Sequence, residues 1–446
     1  MFSSPLLLIS LLGLALPVSR ADVLALDLAS QGQLLSRTTN PDYMCANERV
    51  TVVDTLVNAV DSHAGNAPQR HPRESVKMTR PESSSQDAST SNCIQDFNSK
   101  TQYCLYTLST FASDRGMSVV ASPEDIQSIL DVYAMNQLAQ RTYPLPTDPS
   151  HFYEAALPGR GQGLVSNHTF HRGDLIMVAR PVLILDESSF DTAVTDERLA
   201  LQRKAIDNLP REAKDLFQAL AGHWGGDEVE DRIITNAFGV GFGSEGKKFA
   251  VVVPEAARLN HDCRPNARFA FDPYTLTHKV HAIRTIFPGE ELTISYLDEK
   301  QPYSTRQSYI HAHWGFKCSC NHCILPPPLR EMSDLRVAAI SALRTSLLDF
   351  TPNRGSTATP QLALRLIDFY RVEGLHSPLA EAYIFAALRY CIWEDEANTK
   401  HFAEKALRAW LMWEKKGGNK AMIEQLLKDP RKAWCWANGA QEQTEL

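Results

Sequence analysis

The chain has 446 residues, of which 43% are hydrophobic and 22% charged, the make-up of a globular protein with room for two or three domains. Its 45 basic and 52 acidic residues leave a formal charge of −7. That excludes the basic excess of a nucleic-acid binder, so no direct nucleic-acid partner is expected. Nine cysteines cannot all pair within one chain, which excludes a fully disulfide-bonded framework.

The chain opens on MFSSPLLLISLLGLALPVSRA, whose apolar run from Leu6 to Val18 is too short for a comfortable membrane span. Ser19 and Ala21 follow at the spacing of a cleavage site. A signal peptide over residues 1–21 is expected, directing the protein to the secretory pathway or the extracellular space when it is used. The alternative is a nuclear or cytoplasmic protein. No later stretch reaches 18 uninterrupted apolar residues, so no membrane contact beyond that signal is expected.

Residues 22–150 read as an N-terminal extension. Within it, 62–92 is rich in Ser, Pro and charge and nearly free of large apolar residues, too poor in buriable surface to offset its ordering entropy, so it is expected to be disordered. Ser122-Pro123-Glu124-Asp125 predicts a capped start for a helix reaching about Arg141. A disulfide from Cys45 to Cys93 or Cys104 would staple the disordered stretch. Spacing chooses neither partner, and it leaves Cys391 and Cys435 unassigned.

From 151 to 300 the pattern turns β-like. LIMVARPVLIL (175–185), KFAVVVP (248–254), THKVHAI (277–283) and ELTISYL (291–297) are short β-rich runs between Gly, Pro and Asp. They are interrupted by a helical stretch over about 186–235 with Leu199, Ile206, Leu209, Leu216 and Leu220 on its apolar positions. No β-α alternation argues for a doubly wound sheet. After Pro326-Pro327-Pro328, residues 330–446 carry apolar residues at i, i+3, i+4 spacing and predict an α-helical domain. Two of its segments resemble tetratricopeptide helix pairs, without a regular 34-residue period.

Cys318-Ser319-Cys320-Asn321-His322-Cys323, within 301–325, is too tight for disulfides among its own members. Three thiolates on one loop suit three corners of a tetrahedral zinc site. Cys263 is the favoured fourth ligand, with His322 and His313 as alternatives. Cys263 belongs to Leu259-Asn260-His261-Asp262-Cys263-Arg264-Pro265-Asn266, whose His and Cys could also suggest a nucleophile pair. Such partners come mostly from distant segments and need a third, orienting group, so the metal role is preferred.

Gly159-Arg160-Gly161-Gln162-Gly163 lacks dinucleotide-fingerprint spacing; it is a turn or a place where bare backbone approaches a ligand. Period-2 alternation puts Leu292, Ile294 and Tyr296 on one strand face. Asn167-His168-Thr169 is the one clear N-glycosylation sequon.

Taken in order, GRGQGLV (159–165), NAFGVGF (236–242), RLNHDCRPN (258–266), PGEELTISY (288–296) and WGFKCSCNHC (314–323) resemble the SET-domain protein lysine methyltransferases. Among them, the nearest in pattern is the SET-and-MYND group, with its split SET domain, post-SET zinc loop and helical C-terminal domain. This chain departs from that group in having no cysteine over 186–235, hence no MYND finger, and Asp262 stands where the family commonly has serine.

The resemblance implies an α+β protein: a β-rich SET fold of short sheets with a helical insertion, followed by an all-α tetratricopeptide-like domain. It implies S-adenosylmethionine as cofactor, approached by Gly161 and Gly163, held by Asn260 and His261 and stacked on Phe316. It implies Tyr296 as the catalytic tyrosine and Zn2+ on Cys263, Cys318, Cys320 and Cys323. The expected partner is a lysine in a protein or peptide, histone or not. The alternative is a SET scaffold without turnover, serving as a protein-interaction module.

Overall fold

The computed structural model describes residues 93–95, 100–131, 149–191, 195–241, 247–348, 358–410 and 418–436. The expected signal peptide, the 62–92 stretch and Cys45 lie outside these residues. So does the helix predicted to reach Arg141 beyond residue 131; its start is present, with Ser122 Oγ accepting from the Asp125 backbone N–H at 3.2 Å.

Thirteen strands form three sheets among the described residues. The largest contains β1 (Cys93–Gln95), β2 (Gln102–Leu108), β3 (Met117–Ala121), β7 (Leu183–Asp186), β9 (Lys248–Val252) and β8 (Ala237–Gly241), in the order β1-β2-β3-β7-β9-β8. β3 and β7 run parallel at its centre and are buried along their whole length, which is why MSVVA and LILD are nearly continuous apolar runs rather than alternating ones. Residues 93–121 therefore complete the core's principal sheet. The boundary expected at 150/151 cuts across a hydrogen-bonded unit.

The second sheet is β10 (Asn260–His261), β13 (Glu291–Ile294), β5 (Gly161–Ser166) and β4 (Phe152–Leu157); the third is β11 (Ala267–Asp272), β12 (Thr277–Ala282) and β6 (Leu175–Ala179). The run 175–185, expected as one β segment, is split between the first and third sheets. The break falls at Arg180-Pro181, where proline removes a ladder donor and fixes φ. A single core joins the three sheets, including Met117, Ile176, Ile184, Val251, Val280, Leu292 and Ile294.

The insertion supplies α1 (Thr195–Asp207), α2 (Arg211–Gln218) and α3 (Glu228–Asn236). Ala205, Ile206, Phe217 and Ile233 pack on the outer face of the first sheet against Val120, Leu183 and Leu185. Asp227 caps α3 by accepting from the Val229 and Glu230 N–H groups, each at 3.0 Å.

After the sheets come α4 (Tyr303–Trp314), α5 (Pro327–Leu347), α6 (Pro360–Val372), α7 (Leu379–Ile392), α8 (Glu396–Trp410) and α9 (Gly418–Lys428). α7 is apolar nearly all round because it lies between α6 and α8. The molecule is thus a mixed α+β fold of short sheets with a helical C-terminal region.

Cys93 pairs with Cys104 directly across the β1–β2 ladder, and Cys391 pairs with Cys435 over a sequence separation of 44. Neither Cys93 nor Cys104 is available to Cys45, so the staple expected from Cys45 does not form with them.

Candidate functional site

The site grows from the short parallel pairing of β10 with β13, which sets Asn260 beside Thr293 and His261 beside Ile294. Asn266 fastens this register: its Nδ2 donates to the Glu291 carbonyl at 2.7 Å, and its Oδ1 accepts from the Thr293 N–H at 2.8 Å. Asn266 is buried, so both polar atoms need such partners.

The loop joining β4 to β5 turns on Gly159 and Gly161, at φ of 71° and 74°, a left-handed conformation that glycine enters without steric cost. It delivers Arg160 to the strand pair. The guanidinium donates to the His261 carbonyl at 2.9 Å and forms an ion pair with Glu291 at 2.7 Å. Asn260 Nδ2 donates to the Gln162 carbonyl at 3.1 Å and to Glu291 Oε1 at 2.9 Å. Both amide hydrogens are committed, leaving Oδ1 as an acceptor.

The two glycines named from sequence differ. A Cβ on Gly161 would meet nothing within 4 Å, whereas one on Gly163 would lie 2.6 Å from Leu157, 2.8 Å from Asn260 Nδ2 and 3.0 Å from Glu291 Oε1. Gly163 is therefore glycine because the protein's own Asn260 and Glu291 press on it. Gly161 fronts open space.

His261 is 2% exposed, and its ring turns inward. Nδ1 accepts from the Tyr296 backbone N–H at 3.1 Å, so Nε2 carries the proton and donates to Cys263 Sγ at 3.4 Å. Burial pulls its pKa down to about 3, keeping the ring neutral. The ring thus spends both nitrogens inside the protein, and what His261 offers a cofactor is its backbone. Burial raises neighbouring Asp262 to about 7, with Cys320 adding to the rise.

Tyr296 lies just past β13, which ends at Ile294; Thr293 is buried as well as Leu292 and Ile294, so the strand lacks the one-sided alternation expected. The Tyr296 hydroxyl donates to the Leu259 carbonyl at 2.8 Å. Its proton is thus committed and its oxygen can only accept from a further group. The ring lies between the His261 and Trp314 rings, with centroids 5.3 and 5.0 Å away. Phe316, two residues beyond α4, is 40% exposed. The α4 helix ends on Gly315 at φ 67°, where a Cβ would collide with His223.

Cys263, Cys318, Cys320 and Cys323 are buried and unpaired, with all four sulfurs within 4.8 Å of one another. Cys263 Sγ lies 3.9 Å from Cys318 Sγ and 3.5 Å from Cys323 Sγ. A tetrahedral metal with bonds of about 2.3 Å needs sulfur–sulfur edges of about 3.8 Å, so the donor set fits. His322, an alternative ligand by sequence, instead meets Ser333 Oγ at 3.0 Å. His313 Nδ1 faces the Tyr309 carbonyl at 2.9 Å.

Electrostatics agree with that fit. The Cys263 thiol is pushed up by its hydrogen bonds to Cys318, Cys320 and Cys323, while Cys320 is pushed down by bonds from Cys263, Cys318 and Cys323. Some sulfurs ionise only at the others' expense, a conflict that a dication removes. Arg306, 1% exposed on α4, stays charged: burial opposes its charge, but Cys263 and Cys323 beside it hold its pKa up. One guanidinium against four thiolates and a dication offsets part of the two excess negative charges.

The cluster is also tied to the helical region. Arg264 donates to the Glu299 carbonyl and to Glu373 Oε2, both at 3.0 Å. Glu373, at the end of α6, also accepts from Ser333 at 2.7 Å and Arg336 at 2.5 Å. Sequence reasoning missed Arg160, Glu291, Asn266, Arg306 and Glu373. Only Arg160 had a visible signal, a charge set between two turn glycines.

The family model of the SET domain matches residues 161–297, the span holding Gly161, Gly163, Asn260, His261, Cys263 and Tyr296. The chain is similar to a histone-lysine N-methyltransferase, set5, of Schizosaccharomyces pombe: 30% identical over 183 residues, covering 39% of this chain and 56% of that protein. It is also similar to a SET and MYND domain-containing protein of Dictyostelium discoideum, 39% identical over 66 residues, covering 15% and 19%. The human histone-lysine N-methyltransferase SMYD3 is 34% identical over 113 residues, covering 25% and 23%. The chain spans about half the length of the first of these relatives and about a fifth of the other two. The SET family match over 161–297 and the similarity to relatives of the SET5 and SET-and-MYND kinds thus fall on the part of the chain that carries this site.

Proposed function

We propose that this chain is an S-adenosylmethionine-dependent protein-lysine N-methyltransferase whose site is braced by zinc on Cys263, Cys318, Cys320 and Cys323. The observation carrying this reading is the placement of Tyr296. Its hydroxyl donates its hydrogen to Leu259 O, which makes the oxygen an acceptor, beside the Asn260–His261 strand.

S-adenosylmethionine, when bound, supplies the electrophilic methyl group. Gly161, with open space before it, and Asn260, with its Oδ1 acceptor uncommitted by the bonds above, are the residues to hold it, together with the exposed face of Phe316. A lysine with an ordinary pKa of about 10.4 must lose its proton before it can attack. Desolvation among Tyr296, Trp314 and their neighbours favours the neutral amine, and the Tyr296 oxygen orients it by accepting a hydrogen bond. Zinc takes no part in transfer. Cys263 and the three cysteines of the 318–323 loop would hold it and so link the two segments, while His261 and Arg306 settle the charge of the thiolates.

The substrate is a lysine on a protein, the class named for the relatives. Labelled-methyl transfer to protein panels tests the reading, with wild type compared to Tyr296→Phe. Loss of one oriented oxygen at the reacting centre is expected to slow transfer by about 100-fold or more, with zinc content unchanged and melting lowered only by the lost bond to the Leu259 carbonyl. Equal rates for the two proteins would sink the mechanism.

A further inference from the structure

We propose that this chain folds in an oxidising secretory compartment and carries an N-linked glycan on Asn167. The sequon Asn167-His168-Thr169 occupies the bend leaving β5, and Asn167 is exposed there. The backbone of the bend is held chiefly by groups other than the asparagine side chain. The Asn167 N–H donates to the His151 carbonyl at 2.9 Å, Ser166 Oγ donates to the His168 carbonyl at 2.6 Å, and the His151 and His168 rings stack at 4.1 Å. Asn167 Nδ2 itself makes one bond, to the Ser150 carbonyl at 2.5 Å. A glycosylated amide keeps one N–H as a donor for such a bond.

Position also favours tolerance. Asn167 follows the end of β5 opposite Gly161. At about 3.3 Å per strand residue it lies about 20 Å along the strand from Gly161, clear of the site proposed to hold cofactor.

Cysteine chemistry points to the same compartment independently. The described residues carry two disulfides far apart in the fold, Cys93–Cys104 and Cys391–Cys435, and such bonds persist in oxidising environments and are rare in the cytosol. The four remaining described cysteines converge on one point, where metal would protect them from oxidation. The apolar run Leu6 to Val18 supplies a means of entry.

In the modification, Asn167 Nδ2 loses a hydrogen and bonds to the anomeric carbon of N-acetylglucosamine. The bond from that carbon to the pyrophosphate of a lipid-linked oligosaccharide donor breaks, and the proton leaves with the lipid pyrophosphate.

The test is expression of the full 446-residue chain in a eukaryotic cell. Readouts are glycosidase digestion, alkylation mass spectrometry of the cysteines, and fractionation. The expected result is a membrane-enclosed or secreted protein whose mobility shifts by one glycan on digestion. Asn167→Gln and Thr169→Ala should abolish the shift, and Thr169→Ser should retain it. A chain that enters the secretory route with both disulfides formed, yet does not shift, overturns the glycan. A cytosolic chain with Cys93, Cys104, Cys391 and Cys435 reduced overturns the whole proposal. Neither outcome bears on methyl transfer, which is assayed separately.

Discussion

Eight cysteines in this structure fall into two groups that use the same atom in opposite ways. Cys93–Cys104 and Cys391–Cys435 are neutral and covalent. Cys263, Cys318, Cys320 and Cys323 stay unpaired although two of their contacts are as close as 3.5 and 3.9 Å. The neighbours differ: the second group has a buried guanidinium from Arg306 and an N–H from His261. Cationic and donor groups stabilise thiolate, and thiolate is what a metal binds. Two buried histidines repeat the contrast. Both are held near a pKa of about 3 by burial, but His261 spends its nitrogens on Tyr296 and Cys263, whereas His278 lies against the Phe238 and Phe269 rings at 4.4 and 4.8 Å with both nitrogens unbonded.

The largest effect expected is from removing the metal. A strong chelator, or Cys263→Ser, should release one zinc and undo the ordering of the 318–323 loop, worth on the order of 10 kcal/mol. Metal analysis with thermal melting measures it, and loss of zinc without any change in melting would show the loop to be self-supporting. Reductant should do the reverse, leaving zinc bound while opening Cys391–Cys435. A loop of 44 residues then regains chain entropy equivalent to about 4 kcal/mol. Cys391→Ala with Cys435→Ala should give the same loss in urea unfolding. Reductant and chelator acting alike would erase the distinction between the groups.

The effect of His278 is smaller for each pH unit. The unfolded chain protonates at His278 near pH 6.5 and the folded chain only near 3, so the unfolded state holds more protons between those values. This stability is present above pH 6.5 and is lost at about 1.4 kcal/mol per unit as pH falls towards 3. His278→Leu should flatten that acid limb, and a limb as steep as in the wild type would show that the ring is not the source.

Much of the site was legible in local spacing. Cys318, Cys320 and Cys323 sit within six residues, and a loop that short has few ways to arrange three sulfurs. Helix starts were readable for the same reason: the Ser122 cap involves residues three apart. The run 175–185 is β in both halves, as expected, but its division between two sheets was not legible because both halves are apolar, and apolarity does not say which sheet receives them. Arg306 and Glu373 were invisible. A charged residue is read as exposed unless its partners are known, and theirs lie as far as 109 positions away.

The sequence by itself determined the kinds of chemistry available: the order of the SET-like motifs, a three-cysteine loop, a tyrosine closing a β-like run and a sequon. Only the tertiary structure decided how they are shared out. Cys263 joins the cysteine loop across 55 residues, the His261 ring faces that cluster, Gly163 makes room for Asn260, and Cys93 takes Cys104. Spacing constrains atoms within a turn or two of one another. These choices rest on the β10–β13 register and on which side chains the core excludes from water, and both are properties of the folded chain as a whole.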